Sequence, residues 1–116
     1  MKLTIIIPLY NEEKTIIRLL QIIEEQKFIN KQIIIVDDCS TDNSLDLVRN
    51  YNFQNENVIL NHKINSGKGA SIQTAKQYIN GDYVIIQDAD LEYDPNDYKI
   101  LLDEIAKANV DVVYGS

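Results

Sequence analysis

The sequence predicts an α/β fold: a mostly parallel sheet with helices on both faces. Three observations point there. Short β-branched runs alternate with segments of helical period along the 116-residue chain. Two of those runs, QIIIV (32–36) and DYVII (82–86), are almost continuously apolar, as strands covered on both faces are. The polar residues gather directly after the runs, where an open parallel sheet keeps its ligand crevice.

The elements follow in order. LTIII (3–7) is the first predicted strand. Asn11, with Glu12 and Glu13 behind it, is expected to open a helix, because a side-chain oxygen caps free N–H groups and acids favour the positive dipole end. Ile16, Leu19, Leu20 and Ile23 then fall at i, i+3, i+4 and i+7, one face of that helix. QIIIV is the second strand, and STDNS (40–44) offers capping oxygens before Leu45. NVILN (57–61) and DYVII are the third and fourth strands. Asp94 and Pro95 supply a cap and a first-turn proline for a helix carrying Tyr98, Leu101, Leu102, Ile105 and Ala106 on one face. DVVYG (111–115) is the fifth strand. Strand and helix in alternation require crossover connections, hence a parallel sheet.

No repeat, linker or boundary divides the chain, so residues 1–116 are expected to form one unit. Because Ser116 directly follows a predicted strand, that unit is expected to be the first half of a longer domain.

Composition narrows the function classes. A net charge of −7 without any basic cluster argues against nucleic-acid binding, which needs a basic stripe. The single Cys39 excludes an internal disulfide framework and a Cys-rich zinc site, and is expected to be a small packed side chain. No stretch reaches the roughly 18 apolar residues of a membrane span, and the N-terminal apolar run is too short for a signal-peptide core. A cytoplasmic location is therefore expected. Apolar runs at the sheet edge also predict some pairing into homodimers.

The residues that follow the strands are PLYNEE (8–13), DDCSTDNS (37–44), HKINSGKG (62–69) and DADLEYDP (88–95). Three familiar motifs fail here. No G-x-G-x-x-G follows the first strand; a P-loop would need glycine at His62 and Ser or Thr at Gly69; and G-x-S-x-G is absent. What remains is acid-rich. Asp88 and Asp90, one small residue apart, suit Mg²⁺, which takes one or two carboxylates together with substrate phosphates. Asp38 at the end of the second strand can accept hydrogen bonds from a ribose or a base N–H. Lys68, between Gly67 and Gly69, is divided between a solvated loop lysine and a close approach to a ligand.

TIIIPLYNEEKTI, IIIVDDCSTDNS, NSGKGASI and GDYVIIQDADLEYDP stand in the order and spacing of family 2 glycosyltransferases of GT-A fold, and from Thr4 to about Tyr98 the chain resembles that family. Within it, DADLEYDPNDY and GKGA are most similar to the polyprenyl-phosphate sugar transferases, the group that includes the dolichol-phosphate mannosyltransferases. The resemblance implies that Pro8, Tyr10 and Glu12 line a nucleotide pocket, and that Val36 and Asp38 contact the base. It places Lys68 near the phosphates, and Asp88, Ala89 and Asp90 as a D-x-D element whose acids hold Mg²⁺ or Mn²⁺, assisted by Glu92. The implied reaction is inverting transfer from a nucleotide diphosphate sugar, GDP- or UDP-linked, to a lipid phosphate or a glycan hydroxyl. A hydroxyl acceptor requires a general base. The family's base, like its acceptor half and any membrane contact, is expected beyond Ser116.

Simpler roles stand beside these. His62 is expected to be structural or exposed, Asp94 a helix cap, and Glu12 shared between helix dipole and nucleotide. Two other functions compete: nucleotidyl transfer, which would want a glycine-rich basic loop where PLYNEE stands, and a non-catalytic nucleotide-binding domain.

Overall fold

A computed structural model describes residues 2–27 and 30–89 together with the backbone of 112–115. They form β1 (Lys2–Leu9), α1 (Ile16–Glu24), β2 (Asn30–Asp37), α2 (Ser44–Arg49), β3 (Glu56–Asn61), α3 (Lys68–Lys76), β4 (Tyr83–Gln87) and β5 (Val112–Gly115). The strands make one sheet in the order β3-β2-β1-β4-β5, and every pairing is parallel.

Side chains alternate across a strand, so each central strand feeds two cores. On one face Leu3, Ile5, Ile7 and Leu9 of β1 join Ile33, Ile35 and Ile85, and the buried stripe of α1 (Ile16, Leu19, Leu20, Ile23) and Val48 of α2 cover them. On the other face Ile6, Ile34, Val36 and Ile86 pack with Ala75 and Ile72 of α3. Each such Ile or Leu contributes about 1.5–3 kcal/mol by leaving water. Both faces of the sheet are therefore built from the expected strands, and the first layer is covered by the expected stripe of α1.

Connectivity places the site. From β1 the chain steps outward through α1 to β2 and through α2 to β3, then returns through α3 to β4 on the other side of β1. The direction of winding reverses between β1 and β4, which opens a crevice at the carboxyl ends of those two strands.

One expectation is corrected. Helix α1 begins after Thr15, not at Asn11. Asn11 has φ of +51° and lies outside the helix. Asparagine tolerates that left-handed conformation because its short polar side chain finds local hydrogen bonds, and its carbonyl oxygen here accepts the Thr41 N–H at 2.8 Å.

At the opposite end of the sheet a buried polar network fixes the α3–β4 connection. The Thr4 hydroxyl donates to Gln32 Oε1 at 2.7 Å and accepts the Gly81 N–H at 2.9 Å, while Gln32 Nε2 donates to the Tyr78 carbonyl at 2.6 Å. Gly81 has no room for a side chain: a Cβ there would lie 2.5 Å from Thr4 Oγ1 and 2.8 Å from its backbone nitrogen.

Candidate functional site

A cleft of about 170 Å³ lies at the reversal point, lined by Pro8, Leu9, Tyr10, Glu12, Asp38, Lys68, Ser71, Asp88 and Ala89. Pockets that enclose a whole small ligand run to about 300–1,000 Å³. The described residues thus form one wall of a site rather than a closed chamber. Three carboxylates line it against one ammonium, that of Lys68.

Asp38 anchors the cleft. Its Oδ1 accepts from His62 Nδ1 and from the Ser66 N–H, and its Oδ2 from the Gly67 N–H, each at 2.8 Å. A carboxylate can only accept, so Nδ1 of His62 carries a proton toward it. Nε2 of the same ring meets the Thr74 hydroxyl at 2.8 Å, tying β2, the 62–67 loop and α3 together. Burial alone would raise the pKa of Asp38, but the hydrogen bonds from His62, Ser66 and Gly67 outweigh it and hold the carboxyl below its ordinary range. Gly67 has φ of +94°, a conformation that glycine adopts without a steric cost.

The loops after β1 and β2 are zipped together. The Asn11 N–H donates to Ser40 Oγ at 2.9 Å, the Glu12 N–H to Ser44 Oγ at 2.9 Å, and the Glu13 N–H to Asp42 Oδ2 at 3.2 Å. In return the Asn43 N–H donates to Glu13 Oε2 at 3.0 Å. Asp37 turns inward, accepting from the Ser40 N–H at 3.0 Å and the Ser40 hydroxyl at 2.6 Å. Thr15, at the start of α1, donates its hydroxyl to the Ala89 carbonyl at 2.6 Å and so fastens the end of β4 to this assembly. Much of the polar richness of PLYNEE and DDCSTDNS holds two loops in register.

Lys68 opens α3 and crosses the cleft to Asp88, with Nζ 2.7 Å from Oδ1. The Asp88 side chain is 19% exposed and that of Lys68 49%, so the acid is the more enclosed partner. This contact bears on the implied metal. A carboxylate in a cleft that already takes a cation offers the hard oxygen donor that Mg²⁺ and Mn²⁺ prefer. No group of three His, Cys, Asp or Glu that could hold a metal occurs among the described residues.

Of the residues singled out from sequence, the structure brings Pro8, Tyr10, Glu12, Asp38, Lys68, Asp88 and Ala89 into one cleft. Val36 stands apart: strand alternation turns its side chain into the core under α3, where it is fully buried. Asp90, Glu92, Asp94 and the helix expected through Tyr98 lie outside the described residues. Leu9 and Ser71 also line the cleft and were not singled out. Ser71 stands three residues after Lys68 on α3, a spacing that puts both on one helix face.

Comparison with known proteins gives the following. The family model described as Glycosyl transferase family 2 matches residues 4–116. Dolichyl-phosphate beta-glucosyltransferase ALG5A of Trichomonas vaginalis is 33% identical over 127 residues, covering 98% of this chain and 39% of its own length. Poly(ribitol-phosphate) beta-N-acetylglucosaminyltransferase TarS of Staphylococcus aureus is 34% identical over 93 residues, 78% of this chain and 16% of its own. The crystal structure of TarS 1–349 with UDP-GlcNAc superposes with a TM-score of 0.80 at 30% identity, covering 94% of this chain and 32% of that one. The mannosyltransferase PcManGT from Pyrobaculum calidifontis, in complex with GDP-Man and Mn²⁺, gives a TM-score of 0.72 at 30% identity, over 76% of this chain and 27% of that one. The chain thus spans well under half the length of these relatives.

Proposed function

The chain belongs to glycosyl transferase family 2, and on that premise we propose that its cleft binds a nucleotide diphosphate sugar for inverting, metal-dependent transfer to a polyprenyl phosphate. The observation that carries this reading is the cleft itself, which gathers Tyr10, Asp38, Lys68 and Asp88 at the β1/β4 reversal. Relatives of the same fold bind UDP-GlcNAc, or GDP-Man with Mn²⁺, which supports a nucleotide sugar as ligand.

Each residue has a distinct task in this reading. Tyr10, 46% exposed at the cleft, offers an aromatic surface to the nucleoside. Asp38 uses three of about four acceptor positions on Ser66, Gly67 and His62, which leaves one for a base N–H. Lys68 is the cation that the described lining offers to the diphosphate. Asp88, with Asp90 and Glu92, would hold Mg²⁺ or Mn²⁺, which as a Lewis acid supplies stabilisation of the charge gathering on the leaving diphosphate. Glu12 faces the same cleft, while its backbone N–H holds the loop zipper together.

A lipid phosphate acceptor is favoured by the match to a dolichyl-phosphate glucosyltransferase over 98% of the chain. Such an acceptor is already an anionic nucleophile and needs little general-base help. Transfer to a saccharide or polyol hydroxyl is the second reading, supported by the similarity to TarS. With either acceptor the reaction is proposed to be cytoplasmic, and with the first to occur at the membrane face. No helix among the described residues is long and apolar enough to cross a membrane.

Transfer of labelled sugar from UDP- or GDP-sugars to dolichyl or undecaprenyl phosphate, against poly(ribitol phosphate), tests the acceptor. Labelled polyprenyl product supports the first reading; label on the polymer alone replaces it with the second.

A further inference from the structure

The Lys68–Asp88 ion pair has a consequence beyond donor binding. We propose that Lys68 is a built-in counter-ion that occupies the metal-facing carboxylate of Asp88 until a diphosphate draws it away, so that a free divalent cation and a metal-free diphosphate each meet a partly closed site. This rests on the reading of the cleft as a donor site.

Three observations carry it. The ammonium sits 2.7 Å from Asp88 Oδ1, within a cleft that otherwise presents carboxylates, those of Glu12 and Asp38. A divalent ion approaching Asp88 competes with that ammonium for the charge of the carboxylate, and for Oδ1 directly. Lys68 is also the first residue of α3, whose first turn contains no acid. A cation at a helix N-terminus opposes the macrodipole, so Lys68 depends on an anion supplied from outside its own helix. Asp88 is that anion in this structure, and a diphosphate at the same place would serve in its stead. Finally, the base of the lysine is not hemmed in. A Cβ on either flanking glycine, Gly67 or Gly69, would meet no heavy atom within 4 Å, and the lysine side chain itself is half exposed.

The exchange is one of partners. Paired with Asp88, the lysine neutralises one carboxylate and limits the self-repulsion of three acids in a small cleft. When the diphosphate arrives, the ammonium can turn to its oxygens, and Asp88 is released to a divalent ion. Binding of the two ligands is then coupled, and thermodynamic linkage makes the coupling reciprocal.

The test measures each ligand without the other: Mn²⁺ alone by electron paramagnetic resonance of the free ion, and UDP or GDP alone in chelator by calorimetry. Lys68→Met should bind Mn²⁺ about two- to fivefold tighter, the range expected for release of a half-exposed ion pair, and should bind metal-free nucleotide more weakly. Asp88→Asn should show the opposite signs, weaker Mn²⁺ and tighter metal-free nucleotide. Lys63→Met removes the same charge from the neighbouring loop, outside the cleft lining, and should change neither. Circular dichroism confirms that each variant is folded. Unchanged or weaker Mn²⁺ binding in Lys68→Met, or an equal gain in Lys63→Met, overturns the proposal. Failure of the donor reading has a separate signature: wild type binds neither nucleotide even with Mn²⁺, while Lys68→Met still gains Mn²⁺ affinity.

Discussion

Asp38 Oδ1 and His62 Nδ1 lie 2.8 Å apart, and through this contact the end of β2 holds the start of the loop that leads to Lys68. The same carboxylate also accepts the Ser66 and Gly67 N–H groups just before α3. Replacing it by Ala strands several donors at once, and a hydrogen bond to a charged group contributes about 1.5–3 kcal/mol. Asp38→Ala should therefore lower stability in urea by roughly 2 kcal/mol and also weaken binding of the nucleoside. His62→Ala should share the loss of stability. If Asp38→Ala binds nucleoside as wild type does, Asp38 has no contact with the base.

Asp38 and Asp42 give the fold a specific acid sensitivity. Burial pushes both upward, but for Asp42 the hydrogen bonds from Ser44 and the Glu13 N–H, like those on Asp38, prevail and lower the pKa. A carboxylate lowered in the folded state stabilises fully above its unfolded pKa of about 3.9 and loses that contribution as pH falls through the folded value. Stability should thus stay level from neutrality down to about pH 5 and decline below about pH 4. The decline should be shallower in Asp42→Asn, measured by urea unfolding across that range. An equally steep acid limb in the variant would remove Asp42 from the account.

Thr15 reaches the cleft indirectly. Its hydroxyl donates to the Ala89 carbonyl at 2.6 Å and makes no cap hydrogen bond to α1. Thr15→Val keeps the shape and the helix start but leaves that carbonyl without its donor, at a cost of about 1 kcal/mol. Because Ala89 adjoins Asp88, nucleotide binding with Mn²⁺ should weaken as well. A thermal melt together with a binding isotherm checks both effects.

Gly81 separates folding from function. A Cβ there would meet Thr4 Oγ1 at 2.5 Å and the Thr4 nitrogen at 2.8 Å, so backbone must shift. Gly81→Ala should destabilise by about 1–3 kcal/mol. It lies at the opposite end of the sheet from the cleft, so nucleotide affinity of the folded variant should be unchanged.

The sheet was legible because its strands are unambiguous. QIIIV and DYVII are too apolar and β-branched to stand anywhere but in the middle of a covered sheet, and β2 and β4 occupy such positions. Helix α1 was equally plain from Ile16, Leu19, Leu20 and Ile23, all buried. Helix α3 was not, because its buried residues are only Ser71 and Ala75, and so small a stripe leaves no hydrophobic period. NSGKGASI therefore reads as a loop motif, although Lys68 begins a helix. Asn11 misled in another way: its side chain satisfies the neighbouring loop through Thr41 rather than its own helix, a tertiary contact that local pattern cannot reveal. The lining of the cleft was visible because an open parallel sheet keeps its ligands at the carboxyl ends of its strands. Val36 failed to join it although it pairs with Pro8 and shares that sheet face, because it is buried in the layer under α3.

The most direct measurement is a calorimetric titration of UDP and of GDP into the protein, each with and without Mn²⁺, repeated on Asp88→Ala and Asp90→Ala. One nucleotide is expected to bind, its binding is expected to require the metal, and either substitution should largely abolish it. Equal affinity without metal, or in the two variants, would contradict this expectation.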